Sequence, residues 1–214
     1  MQSVKLQDRL YRGLNIAARA VGVDTNAYRP STVSNPLTPV NRFLRLRAAF
    51  TARDGRFEHA NGYGQVMWYG IFDAAYTQPG DYLVQEQEVW FIAAQQLFAP
   101  VLCVHTNRRI SITRQAPPSN TGLSSYGGSN IIPNTLVLEN WPASVLGSTS
   151  RNHPEARLPS DMPVPYWTIL LPVFPPVILR TGDFISDDLG RNAVVAGAEL
   201  TDLGWRIAAR QAAT

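Results

Sequence analysis

Apolar positions first fall into register at the N-terminal end of the chain. Leu6, Leu10, Leu14, Ala17 and Val21 recur every three or four residues, the spacing of one helical stripe, with Arg9, Arg12 and Arg19 off it. The pattern predicts one amphipathic helix over 5–21, stopped at Gly22. Its stripe packs either on the chain's own sheet or on a neighbouring subunit. Residues 24–42 then carry three prolines and many turn formers, and read as an extended linker or arm. From 43 onward the period changes. Short segments rich in β-branched and aromatic residues alternate with turn signals: 43–52, 64–77, Asp81–Gln85, Glu88–Gln96, Pro100–Thr106, Arg109–Arg114, 136–148, 166–174, 177–186, 192–202 and 204–212. The expected fold is mainly β, a β-sandwich or β-barrel core with one N-terminal amphipathic helix and long extended arms. The expected organisation is a helix at 1–23, an arm at 24–42 and a single β domain at 43–214. Pro/Gly/Ser-rich stretches at 115–135 and 149–165 read as long loops of that domain.

One pattern occurs in each half of the chain. Gly80-Asp81-Tyr82-Leu83-Val84 leads through a polar turn into Val89-Trp90-Phe91-Ile92-Ala93. Gly182-Asp183-Phe184-Ile185-Ser186 leads through Asp187–Asn192 into Ala193-Val194-Val195-Ala196. Each reads as a β-hairpin in which Gly-Asp turns the chain into a strand and a polar loop reverses it. Two similar halves, or two unrelated hairpins of an ordinary kind, both fit.

Composition narrows the function. Hydrophobic residues make up 45% of the 214 and charged residues 16%, with a net charge of +3. So few charges suggest a surface partly covered by partners, although Ser, Thr, Asn and Gln also supply polarity. Lys5 is the only lysine, and arginine suits interfacial ion pairs better. The basic excess is too small to imply sequence-specific nucleic-acid binding. Cys103 is the only cysteine, which excludes an intrachain disulfide and a thiolate zinc site. The first residues form no apolar signal core, and no apolar run reaches the length of a membrane span.

Candidate chemistry is sparse. No phosphate-cradling loop, dinucleotide fingerprint, GxSxG elbow or HExxH motif is present. Cys103 and His105 share one face of a strand, but PVLCVHT reads as a packed strand and not as an activated thiolate. Asp183, Asp187 and Asp188 do not match the spacing of a calcium loop. Glu86 and Glu88 sit in a polar turn, and His59 and His153 in polar loops. The five tryptophans read mostly as core, with a sugar-stacking platform as the alternative. No catalytic residue, cofactor or metal is expected, and the chain reads as a non-enzyme.

Val177-Ile178-Leu179-Arg180-Thr181-Gly182-Asp183-Phe184-Ile185, then Asp187-Asp188-Leu189-Gly190-Arg191 and Val194-Val195, resembles a hairpin motif of the neck proteins of tailed bacteriophages. These are the connector, head-closure and collar components between portal and tail. Gly80–Arg114 also looks like phage and prophage structural proteins. Ala193 stands where family members often carry an aromatic residue. The resemblance implies a homo-oligomeric ring in the virion, assembled in the host cytoplasm, joining portal or adaptor to tail proteins and letting DNA pass, with no membrane partner. Docking elements would be the N-terminal helix, through Leu6, Leu10 and Leu14, and the Asp183–Val195 hairpin. Arg180, Arg191 and Arg206 would be interface charges, and Asp187 and Asp188, if facing the channel, would repel DNA. A tail terminator, a baseplate or fibre-attachment protein, or a carbohydrate-binding tail protein is the alternative.

Overall fold

The computed structural model describes residues 2–52, 66–115, 134–148 and 166–212. Most of the 115–135 and 149–165 loops, with His59 and His153, therefore lie outside the described residues.

The chain is mainly β; among the described residues a single long helix, α1 (Gln2–Val21), is followed by twelve strands. They are β1 (Val23–Tyr28), β2 (Arg42–Ala52), β3 (Met67–Ile71), β4 (Tyr82–Gln85), β5 (Glu88–Ala94) and β6 (Val101–Thr106), then β7 (Arg108–Gln115), β8 (Asn134–Ser148), β9 (Tyr166–Leu171), β10 (Phe184–Asp187), β11 (Asn192–Thr201) and β12 (Gly204–Gln211). The strands close into two barrels, ordered β1-β2-β3-β6-β5-β4 and β10-β11-β12-β9-β8-β7. All neighbours are antiparallel. Closure leaves neither sheet a free edge.

Read from β7, the second order repeats the first. The registers match as well. Ala27 lies opposite Leu83, and Ile112 opposite Ile185. Trp68 lies opposite Cys103, and Trp167 opposite Ala209. Even an irregularity is shared: the ladder skips one residue after Ile92 in β5 and one after Val195 in β11. The two Gly-Asp hairpins are thus corresponding parts of a repeated unit.

The division differs from the one expected. Val23–Tyr28 is not arm but the first strand of barrel 1, and 43–214 holds most of one barrel and all of another. The polar run Asp24-Thr25-Asn26 hides the strand from a hydrophobicity pattern. Thr25 is fully buried, and its hydroxyl donates to the Val23 carbonyl at 3.0 Å. The true arm is shorter, and it lies on barrel 2. The Val33 carbonyl accepts the Trp141 indole N–H at 2.6 Å and the Glu139 amide at 2.9 Å.

Each Gly-Asp corner is held in the same way. Gly80 (φ 96°) and Gly182 (φ 89°) take a left-handed conformation that a side chain would strain. The carboxylate that follows is buried. Asp81 accepts both arms of the Arg29 fork at 2.8 and 2.7 Å, and the Gln78 amide at 2.9 Å. Asp183 accepts the Arg114 fork at 2.7 and 2.8 Å, and the Arg180 amide at 2.8 Å. Each arginine also reaches a carbonyl of the preceding loop, Tyr76 or Ile178. The aspartate carboxyl groups are 1% and 2% exposed, the arginine side chains 40% and 28%. Hydrogen bonding to the carboxylate, opposed by burial and aided by its charge, raises the pKa of both guanidinium groups.

Removing either carboxylate strands a guanidinium against a corner built around it. Because the arginines keep water contact, the expected loss for Asp81→Ala or Asp183→Ala is about 2–4 kcal/mol. Urea unfolding measures it. In the double variant Arg29→Ala with Asp81→Ala the losses should be well short of additive; additive losses would mean that the pair does not couple.

Candidate functional site

The groups that suggested chemistry are engaged structurally. Cys103 is fully buried, and burial pushes its thiol far up, away from the reactive thiolate. His105 pairs through Nε2 with the Glu88 carboxylate, and its ring lies 5.4 Å from that of Trp90. Trp90, Trp141, Trp167 and Trp205 are buried to 8% exposure or less, so none of them is an open sugar platform. Among the described residues no group of three or more His, Cys, Asp or Glu is placed to hold a metal ion. A cleft of about 590 Å³ between α1 and β2 is lined by Asn15, Arg19, Asp24, Arg45, Arg47 and Asp73 among others. Most of its polar groups bond one another: Arg45 to Asp24, Arg47 to the Gly22 carbonyl, and Asn15 to Asp73.

The residues expected at an interface divide into two groups. Asp183 and Asp187 are buried and hold corners. Asp187 accepts the Leu189 and Arg191 amides at 3.0 and 2.8 Å and the Arg191 guanidinium at 2.7 Å. Burial acts to raise its pKa, but these bonds and the Arg191 charge together lower it. Arg191 also lies over the Trp167 ring at 4.6 Å. The Asp187 charge is therefore neutralised within its own turn. Asp188 is exposed, with its carboxylate on the Arg109 amide at 3.3 Å. Arg180 is exposed, and Arg206 pairs on the surface with Glu199.

The helix is the more informative element. Its inner face is Gln7, Tyr11, Asn15 and Ala18. Gln7 accepts the Phe98 amide at 2.9 Å, and Tyr11 accepts the Gln95 side-chain amide at 2.9 Å. At 100° per residue this face is rotated roughly 90° from the apolar stripe. Leu10 and Leu14 consequently sit at the margin, half-buried, while Leu6 and Val21 stay 54% and 67% exposed. The side of α1 that faces the barrel is set by the polar anchors of Gln7, Tyr11 and Asn15 together with buried Ala18 and the Tyr11 ring, and not by the leucine stripe.

Sequence reasoning missed the surface that joins the barrels. The outer row Tyr28, Tyr82, Phe91, Val104 and Met67 crosses five strands of barrel 1 and packs into the core of barrel 2. The Tyr82 hydroxyl donates to the Pro142 carbonyl at 2.8 Å, and its ring meets Trp141 edge-on at 6.1 Å. The corresponding row of barrel 2 is Thr113, Phe184, Val194, Arg210 and Tyr166. Tyr82 is fully buried, whereas its counterpart Phe184 is 36% exposed. A hydrophobic residue outside a strand's core face was the available signal, but in Tyr82-Leu83-Val84 it is masked because the inward Leu83 beside it is apolar too. Comparison with protein-family models, curated proteins and solved structures finds no match.

Two outcomes test these placements. In the native protein Cys103 should resist iodoacetamide and react only on unfolding, as mass spectrometry would show. Asp187 has a folded pKa below its ordinary value of 3.8. Its contribution to stability is thus complete above the carboxylate range of the unfolded chain, and is lost as pH falls through the folded value. The stability gap between the natural chain and Asp187→Asn should be full near neutrality and shrink under acid, as urea unfolding across pH would show.

Proposed function

We propose that the chain is a virion structural protein of the phage head-to-tail neck, a ring-forming connector, head-closure or collar component that joins portal and tail and allows DNA passage. The observation that carries the reading is the Gly182–Val195 segment that resembles neck proteins. It forms a closing hairpin of a barrel, and its outward residues Phe184 and Val194 are left partly open. A ring subunit needs a rigid body and two different apolar surfaces, one for each neighbour. The two closed barrels supply the body, and the exposed part of the α1 stripe and the partly open row of barrel 2 supply the surfaces. Low charge density fits a protein whose surface is shared with partners. With Asp187 locally neutralised, repulsion of DNA by this hairpin would fall to Asp188. Tail terminator, baseplate and fibre-attachment roles use the same parts.

Cryo-electron microscopy of the particle that carries this chain tests the reading. A ring of this double barrel between portal and tail is the expected result. Density at the tail tip would move the chain to the baseplate, and its absence from the particle would overturn a virion role.

A further inference from the structure

The repeat makes the contact between the barrels a template for a second contact. Barrel 1 presents its outer row, centred on Tyr82 and Phe91, to one end of barrel 2. There Met67, Phe91 and Val104 line a cavity of about 210 Å³ with Leu170, Leu171 and the Thr201–Arg206 turn, while Tyr82 meets Trp141 and Pro142. Two surfaces then remain by symmetry. One is the matching row on barrel 2, where Phe184 is 36% exposed and Val194 half-buried, extended across the sheet by Leu136 at 44%. The other is the matching end of barrel 1, formed by the loops after β3 and after β5.

That end is not open, because α1 covers it. Asn15 bonds Asp73 after β3, and Gln7 and Tyr11 bond Phe98 and Gln95 after β5. The helix therefore takes on barrel 1 the place that barrel 1 takes on barrel 2. Its inner face is Gln7, Tyr11, Asn15 and Ala18, and its stripe of Leu6, Ala17 and Val21 lies exposed on a flank of the helix. The covered end of barrel 1 thus carries an exposed apolar stripe beside the place where a barrel-1 row would otherwise dock.

We infer that the Phe184–Val194 row of one copy docks on the α1 stripe of a second copy, head to tail. This contact continues between chains the stacking that joins the two barrels within one chain. The contact is heterologous: the surface given by each copy differs from the surface it receives, so repetition closes a ring or runs on as a filament. The partner, a second copy, rests on the ring reading above; the Phe184–Val194 row follows from the repeat, and the α1 stripe from its exposure beside the covered end.

The purified full chain tests this without any particle. Two single variants, Val21→Cys and Phe184→Cys, change exposed side chains and leave both cores intact, and buried Cys103 stays out of the reaction. Mixed and oxidised, they should give a disulfide dimer linking position 21 of one copy to position 184 of the other, identified by peptide mapping. Phe184→Asp should shift the unsubstituted oligomer to monomer in sedimentation velocity, with the melting temperature kept as a check on folding. Products linked mainly 21 to 21 or 184 to 184 would show a two-fold contact and overturn the inference. So would a chain that sediments as a monomer at every concentration, leaving the two surfaces to a different protein. A neck ring in the particle without 21-to-184 linkage would sink this contact and spare the functional reading; linkage in a protein found elsewhere would do the reverse.

Discussion

Each barrel depends on one buried carboxylate. Closing six short strands into a barrel requires the chain to enter β4, or β10, at a fixed angle beside β1, or β7. Asp81 and Asp183 set that angle by binding three things together: the loop that arrives, through a backbone amide; the far strand, through the end of β1 or β7 and its arginine; and the next strand, through the Asp carbonyl, which accepts from Ile92 or Val195 at 2.9 Å. A buried ion pair is a poor source of net stability, because desolvation consumes much of the Coulomb gain. It is a good source of register, since any other pairing of the strands would leave the charge alone in the interior. That the same pair stands at the same place in both barrels shows that closure, and not bulk apolar burial, is the constraint held constant.

Around that constant the two barrels diverge. In barrel 1 the inner wall carries Thr25, Ala27 and Cys103, and Phe50 stacks on Trp90 at 3.9 Å; barrel 2 has Ile110, Ile112 and Ala209 at the matching strand positions. Volume is redistributed across each interior while the backbone course is kept. The outer surfaces diverge with more consequence. Tyr82, Phe91 and Val104 are committed inside the chain, whereas Phe184, Val194 and Arg210 are a lighter, partly charged version of the same row.

Much of the architecture was legible in the residues. The helix, most strands and the two Gly-Asp corners follow from periodicity and turn chemistry. Three things were not. β1 is polar because Thr25 satisfies its own hydroxyl locally, so it read as arm. The 177–183 segment read as strand because Val177, Ile178 and Leu179 are apolar, yet it forms the turn that presents Asp183. The division into two barrels was also hidden, since β6 and β7 meet with only Asn107 between them and no linker composition marks the boundary. For the surfaces, the apolar stripe of α1 was visible, but its place on the flank of the helix was not. That place is decided by Gln7, Tyr11 and Asn15 finding partners in loops distant in sequence, which no local pattern encodes. Asp183 and Asp187 looked like surface charges for the converse reason: their arginine partners make them interior residues.

The order of the barrels along the chain has a consequence for synthesis. Barrel 1 emerges from the ribosome complete, with β6 ending at Thr106, while β12 is finished only at Gln211. At ordinary elongation rates this leaves an interval on the order of 5–20 s in which Tyr82, Phe91 and Val104 have no partner. During that time every nascent copy displays an apolar row that the finished chain buries, beside sister chains on the same message. The arm that later lies across Trp141 is already made, but has nothing to grip. Crowded translation is thus a condition that favours mispairing between first barrels, and a chaperone that shields an apolar belt would act in that window.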